Sequence, residues 1–155
     1  MLSNKNVEAQ VKSTKLKLAL KTLLSHKVPE ISVQQAAATK NEFVFLDARE
    51  EEEFAVSHIA NAKFIGAKNF RLKSIENIPK DKAIVVYCSI GKRSEDIAVQ
   101  LSKAGFTNVR NLYGGLFEWV NQDHPIVDKA EKETKKVHAY SRFWGMFLDK
   151  GEKVY

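Results

Sequence analysis

One cysteine in 155 residues, Cys88, leaves the chain no internal disulfide and no multi-thiolate metal centre. So little cysteine suits a reducing compartment, and a cytoplasmic setting is the expectation. Four histidines, at 26, 58, 124 and 138, are scattered along the sequence and suggest no metal site or metal cofactor. No run of eighteen or more uncharged apolar residues occurs, so no membrane-spanning helix is expected. Met1 is followed by polar residues without the compact apolar core of a secretory signal. Zinc-finger spacing and RNP-like aromatic motifs are missing, and no internal repeat is evident.

What is present fits one globular domain: 44% of the residues are hydrophobic, enough for a proper core. The net charge of +6 implies affinity for nucleic acid, acidic lipid or small anions. With no motif for the first two, the expected partner is a small anion, and much of the lysine excess is solvated surface.

Residues 1–28 are lysine-rich and nearly free of acid, with Val7, Val11, Leu16, Leu20, Leu23 and Leu24 at helical spacing. The segment is basic like an organelle transit peptide but contains no arginine. It reads instead as an amphipathic helix docked on the domain or on a twin subunit, closed by Pro29. Residues 29–126 alternate strand-like with helix-like pieces. "EISVQQAAA" (30–38) is a strand entering a helix, "FVFLDA" (43–48) a strand, and "REEEEFAVSHI" (49–59) a short helix. "AKFIGA" (62–67) reads as a strand, "NFRLKSIENI" (69–78) as a helix, and "AIVVYC" (83–88) as a strand buried on both faces. "SEDIAVQLSKAGF" (94–106), "NVRNLYGG" (108–115) and "LFEWVNQDHP" (116–125) give helix, strand and helix. Such alternation argues for an α/β domain on a parallel sheet. Residues 127–155 open with a charged, linker-like stretch (127–136). They end in an aromatic-rich tail that folds back on the domain or a second subunit, so the terminal extensions leave an oligomer open.

Cys88 ends the buried strand, at the sheet edge where ligands bind, and a helix begins near Ser94. The turn between them is small and basic, with Gly91 free to adopt conformations closed to other residues. Inward-pointing backbone N–H groups, the positive end of the helix, Lys92 and Arg93 each favour a thiolate over a thiol at Cys88. Glu95 and Asp96 fall in the first helical turn, where acid suits the dipole and can brace the loop. The bland alternative is a buried cysteine serving as a small hydrophobe.

The loop "CSIGKR" (88–93) resembles the C-x-x-G-x-R active-site loop of rhodanese-type sulfurtransferases. "LDAREEEEFAVSHIANA" (46–62) is similar to that family's D-x-R-x-x-x-E-[FY]-x-x-G-H-I-x-G-A stretch, matching at Asp47, Arg49, Glu53, Phe54, His58, Ile59 and Ala62. "LYGGLFEWVNQDHPI" (112–126) resembles its closing G-G-x-x-x-W-x-x-x-x-x-P segment through Gly114, Gly115, Trp119 and Pro125. Ser57 and Asn61 stand where the family has glycine. The resemblance implies a rhodanese-like fold, a central parallel sheet of about five strands with helices on both faces, and no cofactor. It implies Cys88 as the catalytic nucleophile, forming a persulfide from a small anionic donor such as thiosulfate. Ser89, Ile90, Gly91, Lys92 and Arg93 would hold the substrate, and a thiol or protein would accept the sulfur.

Other residues carry open readings. Asp47 lines the pocket, orients Arg93, or serves as a strand-end cap or ion pair. Arg49 and Glu53, four apart on an expected helix, read as a structural pair. His58 is an acid, a base or a locally bonded ring. Gly114–Gly115 is a turn that can approach the pocket, and Trp119 is core. Two rival functions remain: a sulfur carrier or protein-binding module, and a phosphatase or arsenate-reductase chemistry. The second needs a loop one residue longer between cysteine and arginine.

Overall fold

The structure, a computed structural model, describes residues 4–155. Five short strands form its main sheet: β1 (Glu30–Ser32), β2 (Val44–Asp47), β3 (Lys63–Phe64), β4 (Ile84–Tyr87) and β5 (Val109–Tyr113). They lie in the order β1-β5-β4-β2-β3, and every neighbouring pair is parallel. β4 holds the middle because Ile-Val-Val-Tyr is β-branched or aromatic throughout and buried at all four positions. The strand period of two divides the core. Phe45, Val85 and Tyr87 face one side, and Leu46, Ile84 and Val86 the other.

Seven helices surround the sheet among the described residues: α1 (Asn4–Gln10), α2 (Thr14–Leu23), α3 (Val33–Ala38), α4 (Glu51–Val56), α5 (Lys92–Lys103), α6 (Gly115–Asn121) and α7 (Arg142–Gly145). α5 covers the Ile84/Val86 side with Ile97, Ala98 and Leu101. α6 covers the Val85/Tyr87 side with Leu116, Phe117, Trp119 and Val120, alongside α3 and both N-terminal helices. The expected parallel sheet with helices on both faces is the architecture found. Among the described residues, no helix is long and apolar enough to cross a membrane.

Several elements differ from expectation. The N-terminal segment is two helices, because Ser13 caps α2 by accepting the Leu16 N–H. Its apolar face is nonetheless the anticipated one, with Val7, Val11, Leu16, Leu20 and Leu24 buried; residues 1–3 lie outside the described residues. The strand expected over 62–67 shortens to β3, because the Ile65 and Gly66 N–H groups both turn to the Asp47 carbonyl. The helix expected over 69–78 is a single 3₁₀ turn, Leu72–Ile75, that buries Ile75. Nor is the stretch 127–136 a linker. β6 (Ile126–Val127) and β7 (Glu133–Thr134) pair antiparallel across a turn in which Asp128 Oδ1 accepts the N–H groups of Ala130 and Lys132. β8 (Lys136–His138) and β9 (Glu152–Val154) then pair in parallel around α7. The tail packs back on the chain, burying Val137, Ala139, Phe147 and Leu148, while Tyr140, Phe143 and Tyr155 stay exposed.

Both glycine replacements are explained by backbone angles. Ser57 has φ −167°, extended backbone that any residue adopts. Asn61 has φ 67°, in the left-handed region that asparagine tolerates.

Candidate active site

Cys88 is the first residue past the carboxyl end of β4 and is 2% exposed. The chain turns through residues 88–91 into α5, whose N-cap Gly91 sits at φ 129°. A Cβ at Gly91 would have only ordinary contacts, 3.5 Å to Asn111 Nδ2 and to Leu112 O, so backbone conformation rather than crowding requires glycine. In that conformation the Gly91 N–H donates to Cys88 Sγ at 3.1 Å. The other side of the peptide is fixed too, since Asn111 Nδ2 donates to the Gly91 carbonyl at 2.9 Å. Ser94 Oγ lies 3.4 Å from Sγ and 2.6 Å from Asn111 Oδ1. Its single proton serves one of them at a time, which leaves the Gly91 amide as the constant donor to sulfur.

α6 clips the loop from the opposite side. The Leu116 N–H donates to the Cys88 carbonyl and the Phe117 N–H to the Ser89 carbonyl, each at 2.9 Å. These bonds bring Gly115 so close that a Cβ there would lie 2.5 Å from Cys88 O and 2.6 Å from Ser89 O. Gly115, the second glycine of the pair, therefore seats the cysteine loop directly.

Arg93 is braced rather than free. Its Nη1 donates to Glu53 Oε2 at 2.7 Å and its Nη2 to Glu53 Oε1 at 3.0 Å. Nη2 also donates to Ser89 Oγ at 2.9 Å, and Ser89 Oγ donates to Glu53 Oε1 at 3.2 Å. Burial pushes the Glu53 carboxyl up, but the Arg93 guanidinium and the Glu50 N–H outweigh it and hold the group below its ordinary value. A fork of this kind is charge-assisted and directional, so it holds the guanidinium in one place beside the loop.

Above the sulfur lies a pocket of about 230 Å³ lined by Leu23, Cys88, Ser89, Ile90, Lys92, Arg93, Tyr140 and Trp144. Lys92 reaches back to Asp96 at 3.2 Å across one helical turn, with both side chains exposed. Tyr140, from the tail, places its ring 5.1 Å from the Arg93 guanidinium carbon, a cation–π contact. The left-handed backbone at Tyr140, φ 69°, is held by its N–H donating to His138 Nδ1 at 3.0 Å.

The structure thus brings Cys88, Ser89, Ile90, Gly91, Lys92 and Arg93 together, and separates the remaining candidates. Asp47 does not line the pocket: it is wholly buried and forked by Arg49, with Nη2 to Oδ2 at 2.7 Å and Nε to Oδ1 at 2.9 Å. The expected Arg49–Glu53 pair is replaced by Arg49–Asp47 and Arg93–Glu53. The reason is that α4 starts at Glu51, so Arg49 precedes the helix and four-residue spacing does not aim it at Glu53. Arg49 points back instead, bonding Asp47 and the Ser57 carbonyl. His58 is likewise outside the pocket. It stacks on Phe54 at 3.8 Å between ring centroids, and its Nδ1 donates to the Phe54 carbonyl at 3.0 Å. Glu95 anchors the N-terminal segment rather than the loop, accepting the N–H groups of Ser25 (2.9 Å) and His26 (2.8 Å).

Sequence reasoning missed Ser94 and Asn111 around the sulfur and Leu23, Tyr140 and Trp144 on the pocket wall. The tail's aromatic content signalled that it would fold back, but nothing local said onto what.

The family model of the rhodanese-like domain matches residues 32–122. A tRNA uridine(34) hydroxylase from Wigglesworthia glossinidia brevipalpis is 37% identical over 91 residues, 56% of this chain, and the chain spans 29% of that relative's length. The thiosulfate sulfurtransferase GlpE of Coxiella burnetii is 34% identical over 89 residues, 57% of this chain and 81% of that one. Among solved structures, a rhodanese-related protein from Thermoplasma volcanium aligns with a TM-score of 0.60 at 28% identity, over 64% of this chain and 98% of the other. Motifs, sheet order and family match agree, and the chain belongs to the rhodanese-like domain family.

Proposed function

We propose that the protein is a sulfurtransferase that carries a sulfane sulfur from thiosulfate, or a similar small anionic donor, to a thiophilic acceptor as a persulfide on Cys88. The observation that carries this reading is Sγ at the floor of a pocket, bonded by the Gly91 N–H, with Lys92 and Arg93 on the wall. The Cys88 thiolate attacks the outer sulfur of thiosulfate. A new S–S bond forms, the S–S bond of the donor breaks, and sulfite departs with its electron pair. The terminal sulfur now bears the negative charge next to the first turn of α5, whose leading N–H groups have no partners within the helix. Cyanide, or an acceptor thiolate, then attacks that terminal sulfur and releases the Cys88 thiolate. Charge and electrons balance at each step, and written from the thiolate the scheme contains no proton transfer. Asp47 and His58 take no part in this scheme.

The engagement of Arg93 favours this reading over phosphatase or arsenate-reductase chemistry. A tetrahedral oxyanion needs the arginine fork turned towards it. Here three of its five N–H donors are already engaged, two by Glu53 and one by Ser89.

Steady-state thiocyanate formation from thiosulfate and cyanide tests the proposal. Turnover should vanish in Cys88→Ser, and Lys92→Ala should raise KM for thiosulfate about three- to tenfold with little change in kcat. Hydrolysis of an aryl phosphate without thiosulfate turnover would reverse the assignment.

A further inference from the structure

The pocket above Cys88 does not end at its own rim. Leu23 and Trp144 also line a second, open groove with Lys15, Leu18, Ala19, Thr22, Phe143 and Phe147. It runs between α2 and the tail, outside the residues that match the family model. Leu18 and Phe143 are each 62% exposed, an unusual position for large apolar side chains adjoining one another. No acidic residue lines either cavity. α2 itself carries Lys15, Lys17 and Lys21 and no acid at all.

We propose that this groove docks a projecting, acidic and apolar segment of another protein that bears the thiol accepting the Cys88 sulfur. The inference rests on the sulfurtransferase reading for its chemistry. Three features select the occupant. Cys88, 2% exposed beneath walls from both chain extensions, is beyond reach of a flat protein surface, so the acceptor thiol arrives on a protruding segment. Leu18 and Phe143 offer apolar anchors outside the pocket, where a small donor such as thiosulfate makes no contact. The all-lysine charge of α2 attracts acid on the incoming chain and speeds its encounter. Transfer is the second half of the cycle: the acceptor thiolate bonds the terminal sulfur, the Cys88 S–S bond breaks, and the Cys88 thiolate is regenerated.

The test uses two synthetic peptides, one with a single cysteine among Leu, Phe and Glu, the other with Lys in place of each Glu. Fluorescent versions with Ser for the cysteine report binding by anisotropy, independently of any persulfide. The acidic peptide should bind about tenfold more tightly than the basic one at low salt, and Lys15→Glu should narrow that ratio. Leu18→Glu and Phe143→Glu should each weaken its binding about fivefold or more. With the persulfide form, the same two variants should slow sulfur transfer to the cysteine peptide and leave transfer to cyanide unchanged. Equal binding of both peptides overturns the proposal, as does indifference to Leu18→Glu and Phe143→Glu. Concentration-dependent dimerisation lost in those variants would give the groove to a second copy of this chain. Sedimentation with anionic vesicles lost in the same variants would give it to a membrane surface; either result also overturns the proposal. Discriminating binding without any sulfur gain on Cys88 would sink the sulfurtransferase reading and leave the docking surface standing.

Discussion

At the scale of single residues, the site depends on groups that hold others still. Glu53 neither lines the pocket nor bonds the sulfur, yet it fixes both Arg93 and Ser89 from behind. Its carboxyl is held below its ordinary value of 4.5, so its stabilising contribution is complete above that value and disappears as pH falls through the lower folded value. Denaturation midpoints between pH 7 and pH 3 should show a steep acid loss that Glu53→Gln flattens, the variant being the less stable protein at pH 7. A parallel acid limb in both proteins would remove Glu53 from this role. The sequence named the right residues here but joined them wrongly. Arg49 and Glu53 have helical spacing in the chain, yet Arg49 lies ahead of the N-cap Glu50 and turns back to Asp47. The Glu53–Arg93 and Ser94–Asn111 contacts join residues from different elements, so spacing could not reveal them.

Among the elements, the cysteine loop is held between two helix beginnings, α5 following it and α6 clipping it. Gly115 is where the second meets the loop, at φ 60° and within 2.6 Å of backbone atoms for any added Cβ. Gly115→Ala should destabilise the protein by about 1–3 kcal/mol, from overpacking and a strained left-handed backbone. Persulfide formation should fall more than the fraction folded, because the loop itself must shift. Unfolding in denaturant and sulfur loading measured on one sample separate these effects, and an unchanged loading rate would show that α6 does not seat the loop. This part of the site was legible, since strand, loop and double glycine all carry local signals. Short elements were less so: β3 and the 3₁₀ turn at Leu72–Ile75 are set by tertiary contacts to Asp47 and the core.

Taken as a whole molecule, the chain wraps its family domain with both ends, and three of the eight pocket-lining residues come from those ends. The N-terminal segment is pinned by Glu95, 1% exposed, whose two oxygens accept the N–H groups of Ser25 and His26. Glu95→Gln presents an NH₂ to one of those donors and should cost about 1.5–3 kcal/mol, seen in chemical denaturation. It should also open the pocket at Leu23; wild-type stability would mean that the extension docks through its apolar face alone. Sequence composition showed that both extensions have apolar faces to bury, but only the folded chain shows them meeting over Cys88.

The most direct test is intact-mass spectrometry of the protein after exposure to thiosulfate and removal of the excess. The expected spectrum shows a gain of one sulfur atom in the wild type, reversed by cyanide and absent in Cys88→Ser. An unchanged wild-type mass, or the same gain in Cys88→Ser, would contradict a persulfide carried on that thiol.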